Sequence, residues 1–212
     1  MNNYQINLPE EFKKIDGPLP PNMGLPKEAA AFNAGNENFS AFILCFPVSP
    51  EASMPFNDTE RIIDDLHSSM NDSQGIIEVM AGTCKNGGKY VYYLLKYKKP
   101  SLRRLPRGNG YLLYFNLQIG NTIQFINATF EEEGITGMRD SAVYSLFRQN
   151  KKQEGKDMSD NPFDGWFKDP YCEDYTKGFL MDLSEQSEFD EQFPQHPLSA
   201  ARRFVAYVIS NN

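Results

Sequence analysis

The two histidines are the residues of this chain best suited to acid–base or metal chemistry. His67 follows Asp64 at a spacing of three, which on a helix places the two side chains on neighbouring positions. A zinc site would need at least one further ligand, and the sequence points to none. Because charge-rich helix faces are normally solvated, we expect His67 on a solvated face. His196 precedes Pro197, and we expect it to end a turn or to cap the last helix.

The carboxylates and thiols of the sequence likewise form no recognisable catalytic or metal-binding pattern. Glu131–Glu133 could supply paired carboxylates, but general acid–base catalysis needs two carboxyl groups that are held at different pKa values. A run of three glutamates at the end of a strand is instead typical of a solvated connection. The three cysteines are widely spaced and contain no Cys-x-x-Cys pair, so we expect buried thiols at Cys45 and Cys84 and no disulfide framework. The glycine-rich stretch 82–88 lies between two predicted strands, whereas a phosphate loop precedes a helix. We therefore predict no catalytic residue, no cofactor and no metal.

An acid-free basic stretch joins two of the predicted strands. It runs from Lys96 to Arg107 and carries six basic side chains. One interpretation is a solvated connection, and the other is a docking surface for an acidic partner or for the chain's own acidic extension. Tyr97 and Tyr111 flank the stretch, but no RNA-binding signature accompanies them. The candidate partner-binding residues are Lys98, Lys99, Arg103, Arg104 and Arg107.

Four apolar segments predict the strands that surround this stretch. They have the length and the β-branched and aromatic content of strands, and Gly120-Asn121 leaves room only for a tight hairpin between the last two. In Tyr111–Ile119 the odd positions are apolar, which assigns them to the core face. The compact run Phe39–Phe46 predicts a further strand, buried on both faces. The four segments are Ile76–Cys84, Tyr90–Tyr97, Tyr111–Ile119 and Thr122–Phe130.

Three segments have helical periodicity. Asp58–Met70 carries an apolar stripe, and Asn57 with Glu60 three residues later fits a capping box. Met138–Lys151 repeats apolar residues every three to four positions and ends in basic residues. A last amphipathic helix begins at about Leu198.

These elements predict an α+β protein in which an antiparallel meander is packed on its faces by helices. We assign residues 1–152 to a sandwich domain and residues 153–212 to an extension that packs on the same domain. Residues 157–193 hold 11 acids against two lysines, so the net charge of −7 lies in the extension. Aromatic residues interrupt these acids, whereas disordered acidic tails are poor in aromatics. We therefore expect the extension to be ordered and to run near the basic stretch, with exposed ion pairs that orient it.

Composition narrows the class of partner. A chain of 212 residues with 40% apolar content can bury a core. Its negative net charge disfavours nucleic acid and anionic membranes as partners. The longest apolar run, near residues 42–46, is far shorter than a membrane span. Few cysteines and no leader-like N-terminus favour the cytoplasm.

The predicted elements follow the order strand, helix, strand, three-stranded meander and helix, and Leu8-Pro9-Glu10-Glu11-Phe12 lies near the start. This order resembles that of the PsbP-like superfamily of α/β/α sandwiches, and in particular its uncharacterised bacterial branch. That superfamily includes photosystem accessory subunits and a nuclear-transport factor that binds a small GTPase. The resemblance covers about residues 1–150 and implies a binding or accessory role. It carries over no functional residue, and the segment after Lys152 departs from it.

Three functional hypotheses follow. The first is a non-enzymatic cytoplasmic binding or accessory module whose partner is another protein. The second is a small-ligand-binding protein or an enzyme whose site is assembled from residues that are scattered in sequence. The third is a secretion-system accessory or immunity-type protein, for which the acidic charge is the one supporting feature. A deep pocket that holds ionisable groups with strongly perturbed pKa values would favour the second hypothesis. A shallow exposed patch would favour the first hypothesis.

Overall fold

The computed structural model describes residues 6–99, 108–155 and 161–212. Within these ranges, seven strands form one antiparallel sheet and two short strands pair separately. The sheet strands are β1 Lys13–Lys14, β2 Ala30–Gly35, β3 Phe39–Val48, β4 Gln74–Thr83, β5 Lys89–Lys98, β6 Asn109–Ile119 and β7 Thr122–Glu132, and the short pair is β8 Phe167–Lys168 and β9 Met181–Asp182. The sheet order is β1-β2-β3-β7-β6-β5-β4, and the helices are α1 Thr59–Ser69, α2 Met138–Gln153 and α3 Pro197–Asn211.

The predicted meander and fold class are confirmed. Strands β4 to β7 are consecutive antiparallel neighbours, with Leu94 opposite Leu113 and Leu113 opposite Ala128. Ile119 pairs with Thr122, so the β6–β7 turn holds two residues. Its Gly120 has φ 58°, a left-handed conformation that glycine adopts without steric cost.

The two faces of the sheet differ in what covers them. On one side, the inner face, the odd positions of β6 from Tyr111 to Leu117 are fully buried, as the alternation predicts. Helix α3 packs over them through Phe204 and Val208. On the other side, the outer face, α1 lies against β4 and β5 through Ile62 and Leu66.

The prediction that Phe39–Phe46 is buried on both faces is wrong. In β3, Ala41, Ile43 and Cys45 are buried on the inner face, but Phe42 on the outer face is 37% exposed. The reason is that α3 covers β3 on one side, whereas α1 packs at the β4–β5 side of the outer face.

The helix predictions are confirmed to within two residues, with one correction. The N-cap of α1 is Asp58, whose carboxylate accepts the Arg61 backbone N–H at 3.0 Å, so the predicted cap at Asn57 is wrong. The Asp58 backbone, at φ −140° and ψ 72°, lies outside the helical region, as an N-cap requires.

The extension covers the β4 edge of the sheet. The Phe179 N–H donates to the Gln74 carbonyl at 2.8 Å, and the Tyr171 hydroxyl donates to the Val79 carbonyl at 3.2 Å. An added Cβ at Gly75 would lie 1.9 Å from the Phe179 carbonyl oxygen, so this close approach requires glycine. Covering an edge strand removes a site for unwanted strand pairing. Phe179 and Tyr171 of the extension thus pack against the β4 edge of the sheet, while the division of the chain at residue 152 stays a prediction.

Across the described ranges, the structure contains no helix with both the length and the apolar character needed to cross a bilayer.

Candidate functional site

The basic stretch is only partly described. Lys98 is exposed, with its Nζ 4.8 Å from the Phe179 ring centroid. Lys99 donates to the Glu132 carbonyl at 3.0 Å and lies 2.9 Å from a Glu131 carboxylate oxygen. Arg103, Arg104 and Arg107 lie outside the described residues, so their assignment as partner-binding residues stays a prediction.

Lys96, at the start of this stretch, is fully buried on the inner face. Its Nζ lies 2.7 Å from Glu185 Oε2 and 3.1 Å from Asp182 Oδ2, both in the extension. The Tyr111 hydroxyl donates to the other Glu185 oxygen at 2.9 Å. We call Lys96, Tyr111, Asp182 and Glu185 the charge centre. It confirms that the extension meets this end of the basic stretch, but the expectation of exposed ion pairs is wrong because the side chains of Lys96, Asp182 and Glu185 are at most 6% exposed.

A capping box holds the two carboxylates in place. Asp182 accepts the Ser184 N–H at 3.0 Å, and Glu185 accepts the Asp182 N–H at 2.9 Å, around a short 3-10 turn at Leu183–Glu185. The spacing Asp-x-x-Glu is the sequence signal that could have identified this turn. Sequence reasoning missed it because the segment has no periodic apolar pattern.

Two arginines hold the same turn by its backbone. Arg139 donates to the carbonyls of Ser184 at 2.6 Å and Gln186 at 2.9 Å, and Arg202 donates to that of Glu185 at 2.9 Å. Both arginines also pair with Asp190. Their guanidinium groups are thus occupied by structural contacts, which fits an internal clamp.

The charge centre contains more carboxylates than cations. Burial raises the pKa of Glu185 from 4.5 to about 7, with Lys96 lowering it in part and Asp182 raising it further. Burial disfavours the charged form of Lys96, but Glu185 and Asp182 outweigh this and raise the pKa of Lys96. Burial and the nearby Asp182 also raise the pKa of Asp140, whose carboxylate accepts the Ser184 hydroxyl at 2.7 Å. Lys96 therefore keeps its proton while Glu185 titrates near neutral pH.

This arrangement predicts a stability that falls as the pH rises. Because the folded pKa of Glu185 lies above its value of 4.5, its contribution is fully present below about pH 4.5 and is lost by about pH 7. The shift corresponds to about 3 kcal/mol of unfolding free energy. Urea unfolding between pH 5 and pH 8, followed by the fluorescence of the single tryptophan, Trp166, measures this loss.

The Glu185→Gln variant should lose most of this pH dependence. Glu188→Gln is the matched control, since Glu188 is an exposed glutamate three residues further on. If the unfolding free energy fell equally with pH in the wild type and in Glu185→Gln, the pH dependence could not be assigned to Glu185.

His67 is not on a solvated face, so that prediction is wrong. Its Nε2 lies 3.0 Å from Asp169 Oδ2, and its ring stacks on Tyr175 with centroids 4.1 Å apart. The Tyr175 hydroxyl donates to the His67 carbonyl at 3.3 Å. His67 thus fastens the extension to α1. Within residues 6–99, 108–155 and 161–212, no three His, Cys, Asp or Glu side chains converge as metal ligands.

His196 caps α3, as predicted. Its Nδ1 accepts the Leu198 N–H at 3.3 Å, so the proton of the neutral ring lies on Nε2. Nε2 faces Glu132 Oε1 at 3.5 Å, a distance too long for a good hydrogen bond. With its only lone pair used by the cap, His196 is poorly placed to act as a general base.

Glu132 is buried, which corrects the prediction of a solvated Glu131–Glu133 connection. It accepts the backbone N–H of Asn109 at 2.8 Å and that of Gly137 at 3.1 Å. Burial alone would raise the pKa of Glu132, but His196 and these two N–H groups outweigh burial and lower it. Glu132 is therefore ionised at neutral pH.

A cleft of about 300 Å³ lies beside Glu132 and His196, between the β7–α2 connection and the segment before α3. Its apolar walls include Ile135 and Met138, which are 78% and 60% exposed. Phe193 and Pro194 form the opposite wall, and the amides of Asn38, Gln192 and Gln195 contribute polar groups. We call this the α2–α3 cleft.

A row of aromatic rings crosses the outer face. It connects Phe46, Phe125, Tyr114 and Tyr93, one from each of four adjacent strands, with successive centroids 5.2, 6.0 and 4.8 Å apart. Phe46, Phe125 and Tyr114 are half-buried, and the more exposed Phe42 lies on the same face of β3. We call these rings, with Phe42, the aromatic row.

No family model matches this chain, and no curated protein matches it either.

Proposed function

We propose that this chain is a non-enzymatic, cytoplasmic binding module that docks a partner protein on its outer face. The observation that carries the proposal is the aromatic row. Exposed apolar surface marks interaction sites, and the row combines the exposed Phe42 with half-buried rings on the same face. Aromatic side chains are enriched at the centres of protein interfaces. Polar side chains border the row on the same face, at Ser40 in β3 and at Asn127 and Thr129 in β7.

The charged groups support a binding role over a catalytic one. Lys96 and Arg139 are engaged by residues of the extension, Arg202 by the Glu185 carbonyl, and His196 by its cap. Catalysis would need such groups to be turned towards a substrate. The net charge of −7 supports a protein partner over nucleic acid.

The fold supports the resemblance to the PsbP-like sandwiches, which we retain as part of the proposal. Its consecutive antiparallel strands and its helices on both faces fit that pattern. The binding and accessory roles of that superfamily agree with a docking surface.

Two matched variants test the proposal. Phe42 is an exposed apolar strand residue on the outer face, and Met80, 48% exposed, is an exposed apolar strand residue of β4. We expect Phe42→Ser to lower the capture of a specific partner protein from the source cells at least tenfold, while Met80→Ser captures as much as wild type. Quantitative mass spectrometry of the captured proteins measures this difference.

Two outcomes would contradict the proposal. One is a partner that Phe42→Ser and wild type retain equally. The other is the absence of any protein that wild type enriches over an unrelated acidic control. Matching melting temperatures of the two variants exclude unfolding as the cause of a loss.

A further inference from the structure

We propose that the α2–α3 cleft is a binding site for a small neutral molecule with an apolar body and one hydroxyl or carbonyl group. Glu132 in its wall is an even-numbered residue of β7 and lies on the inner face, whereas the aromatic row lies on the outer face. The proposal is therefore independent of the docking of a protein.

The size and lining of the cleft fit a small molecule. A volume of about 300 Å³ is at the lower end of the range for ligand pockets. Such pockets are mostly apolar with a few polar groups, and here Ile135, Met138, Phe193 and Pro194 supply apolar walls. Ile135 and Met138 are large apolar side chains held largely in water, and a ligand between the walls would cover them.

The charges at the cleft select a neutral ligand. Glu132 is ionised, and the guanidinium of Arg139 also belongs to the lining. An anion would meet the Glu132 carboxylate, while four of the five N–H donors of Arg139 already have acceptors. A cation would meet Arg139 and the Nε2–H of His196. A charged ligand would thus lose its hydration without gaining an unopposed partner.

The polar group of the ligand is matched by the amides of the cleft. Asn38, Gln192 and Gln195 are exposed, and an amide both donates and accepts hydrogen bonds. The Gln195 carbonyl oxygen already accepts Asn36 Nδ2 at 2.6 Å, which orients its NH₂ group as a donor. A hydroxyl or carbonyl oxygen is the natural acceptor for that donor.

Three probes of similar size and different charge test this inference: benzyl alcohol, benzoate and benzylammonium. Titration of the full chain, followed by NMR of its isoleucine and methionine methyl groups, locates and quantifies binding. We expect benzyl alcohol to shift the Ile135 and Met138 signals in a saturable way and to bind at least tenfold more tightly than either charged probe.

Matched variants complete the test. Ile135→Ser should weaken the binding of benzyl alcohol at least fivefold, because it removes one wall at a position too exposed to affect folding. Leu146→Ser, an exposed apolar residue elsewhere on α2, and Phe42→Ser on the outer face should leave binding unchanged. Equal affinity for all three probes, shifts spread over the whole surface, or no saturable shift at Ile135 and Met138 would overturn the proposal.

Discussion

Replacing Lys96 with methionine should lower the unfolding free energy by about 3–5 kcal/mol at pH 8, the usual cost of removing one partner from a buried ion pair. Methionine has a similar length, so the loss is mainly electrostatic. In the wild type, Lys96 Nζ lies 2.7 Å from Glu185 and 3.1 Å from Asp182. In the variant, both carboxylates would remain buried without this cation. Urea unfolding monitored by Trp166 fluorescence measures the change.

The loss should be smaller at pH 5. Glu185 already binds a proton readily, since its pKa is raised to about 7 by burial, and a neutral Glu185 no longer needs a cation. The double variant Lys96→Met, Glu185→Gln should accordingly recover part of the loss at pH 8.

Lys98→Met is the control for this experiment. Lys98 lies two residues away and is exposed, and its contact with the Phe179 ring contributes about 0.5–1 kcal/mol at such sites. If Lys96→Met and Lys98→Met had equal stabilities, the charge centre would not hold the extension on the sheet.

Replacing Phe115 with alanine should cost about 3–5 kcal/mol, the range measured for buried aromatic side chains. Phe115 is fully buried on the inner face, and its ring stacks on Tyr92 at 5.5 Å and on Tyr90 at 5.9 Å. The truncation would leave a cavity among rings that have little freedom to close it. Thermal and urea unfolding of the two proteins give the difference.

Phe42→Ala is the comparison variant, since it removes a phenylalanine side chain from the outer face of the sheet. Because Phe42 is 37% exposed, its removal should cost clearly less than that of Phe115. An unchanged melting temperature for Phe115→Ala, or a larger loss for Phe42→Ala, would mean that the faces are assigned in reverse.

Local patterns determined the strands of the meander, its last hairpin and the inner face of β6. The alternation in Tyr111–Ile119 identified the inner-face residues because side chains in a strand point to opposite faces in turn, although Ile119 is only partly buried and Asn116 on the other face is buried as well. Gly120-Asn121 predicted the hairpin because a two-residue turn needs positive φ, which glycine supplies. His196 before Pro197 predicted the start of α3 for a similarly local reason.

The tertiary structure alone decided which polar residues are buried. Lys96 is followed by other basic residues, so its sequence context resembles that of a solvated loop. Its partners Asp182 and Glu185 lie 86 and 89 positions away, and Asp169, which binds His67, lies 102 positions away. Local pattern carries no information about such pairings, since they depend on where the extension packs.

The same limit applies to both candidate sites. The run Phe39–Phe46 is apolar on both faces, and only the positions of α1 and α3 show that its outer side stays open. The α2–α3 cleft combines Glu132 and Ile135 with residues 192–197, which no motif connects. Sequence determines which elements form because their hydrogen bonds and side-chain periodicity are local. The sites depend on which surfaces those elements leave uncovered, and long-range packing decides that.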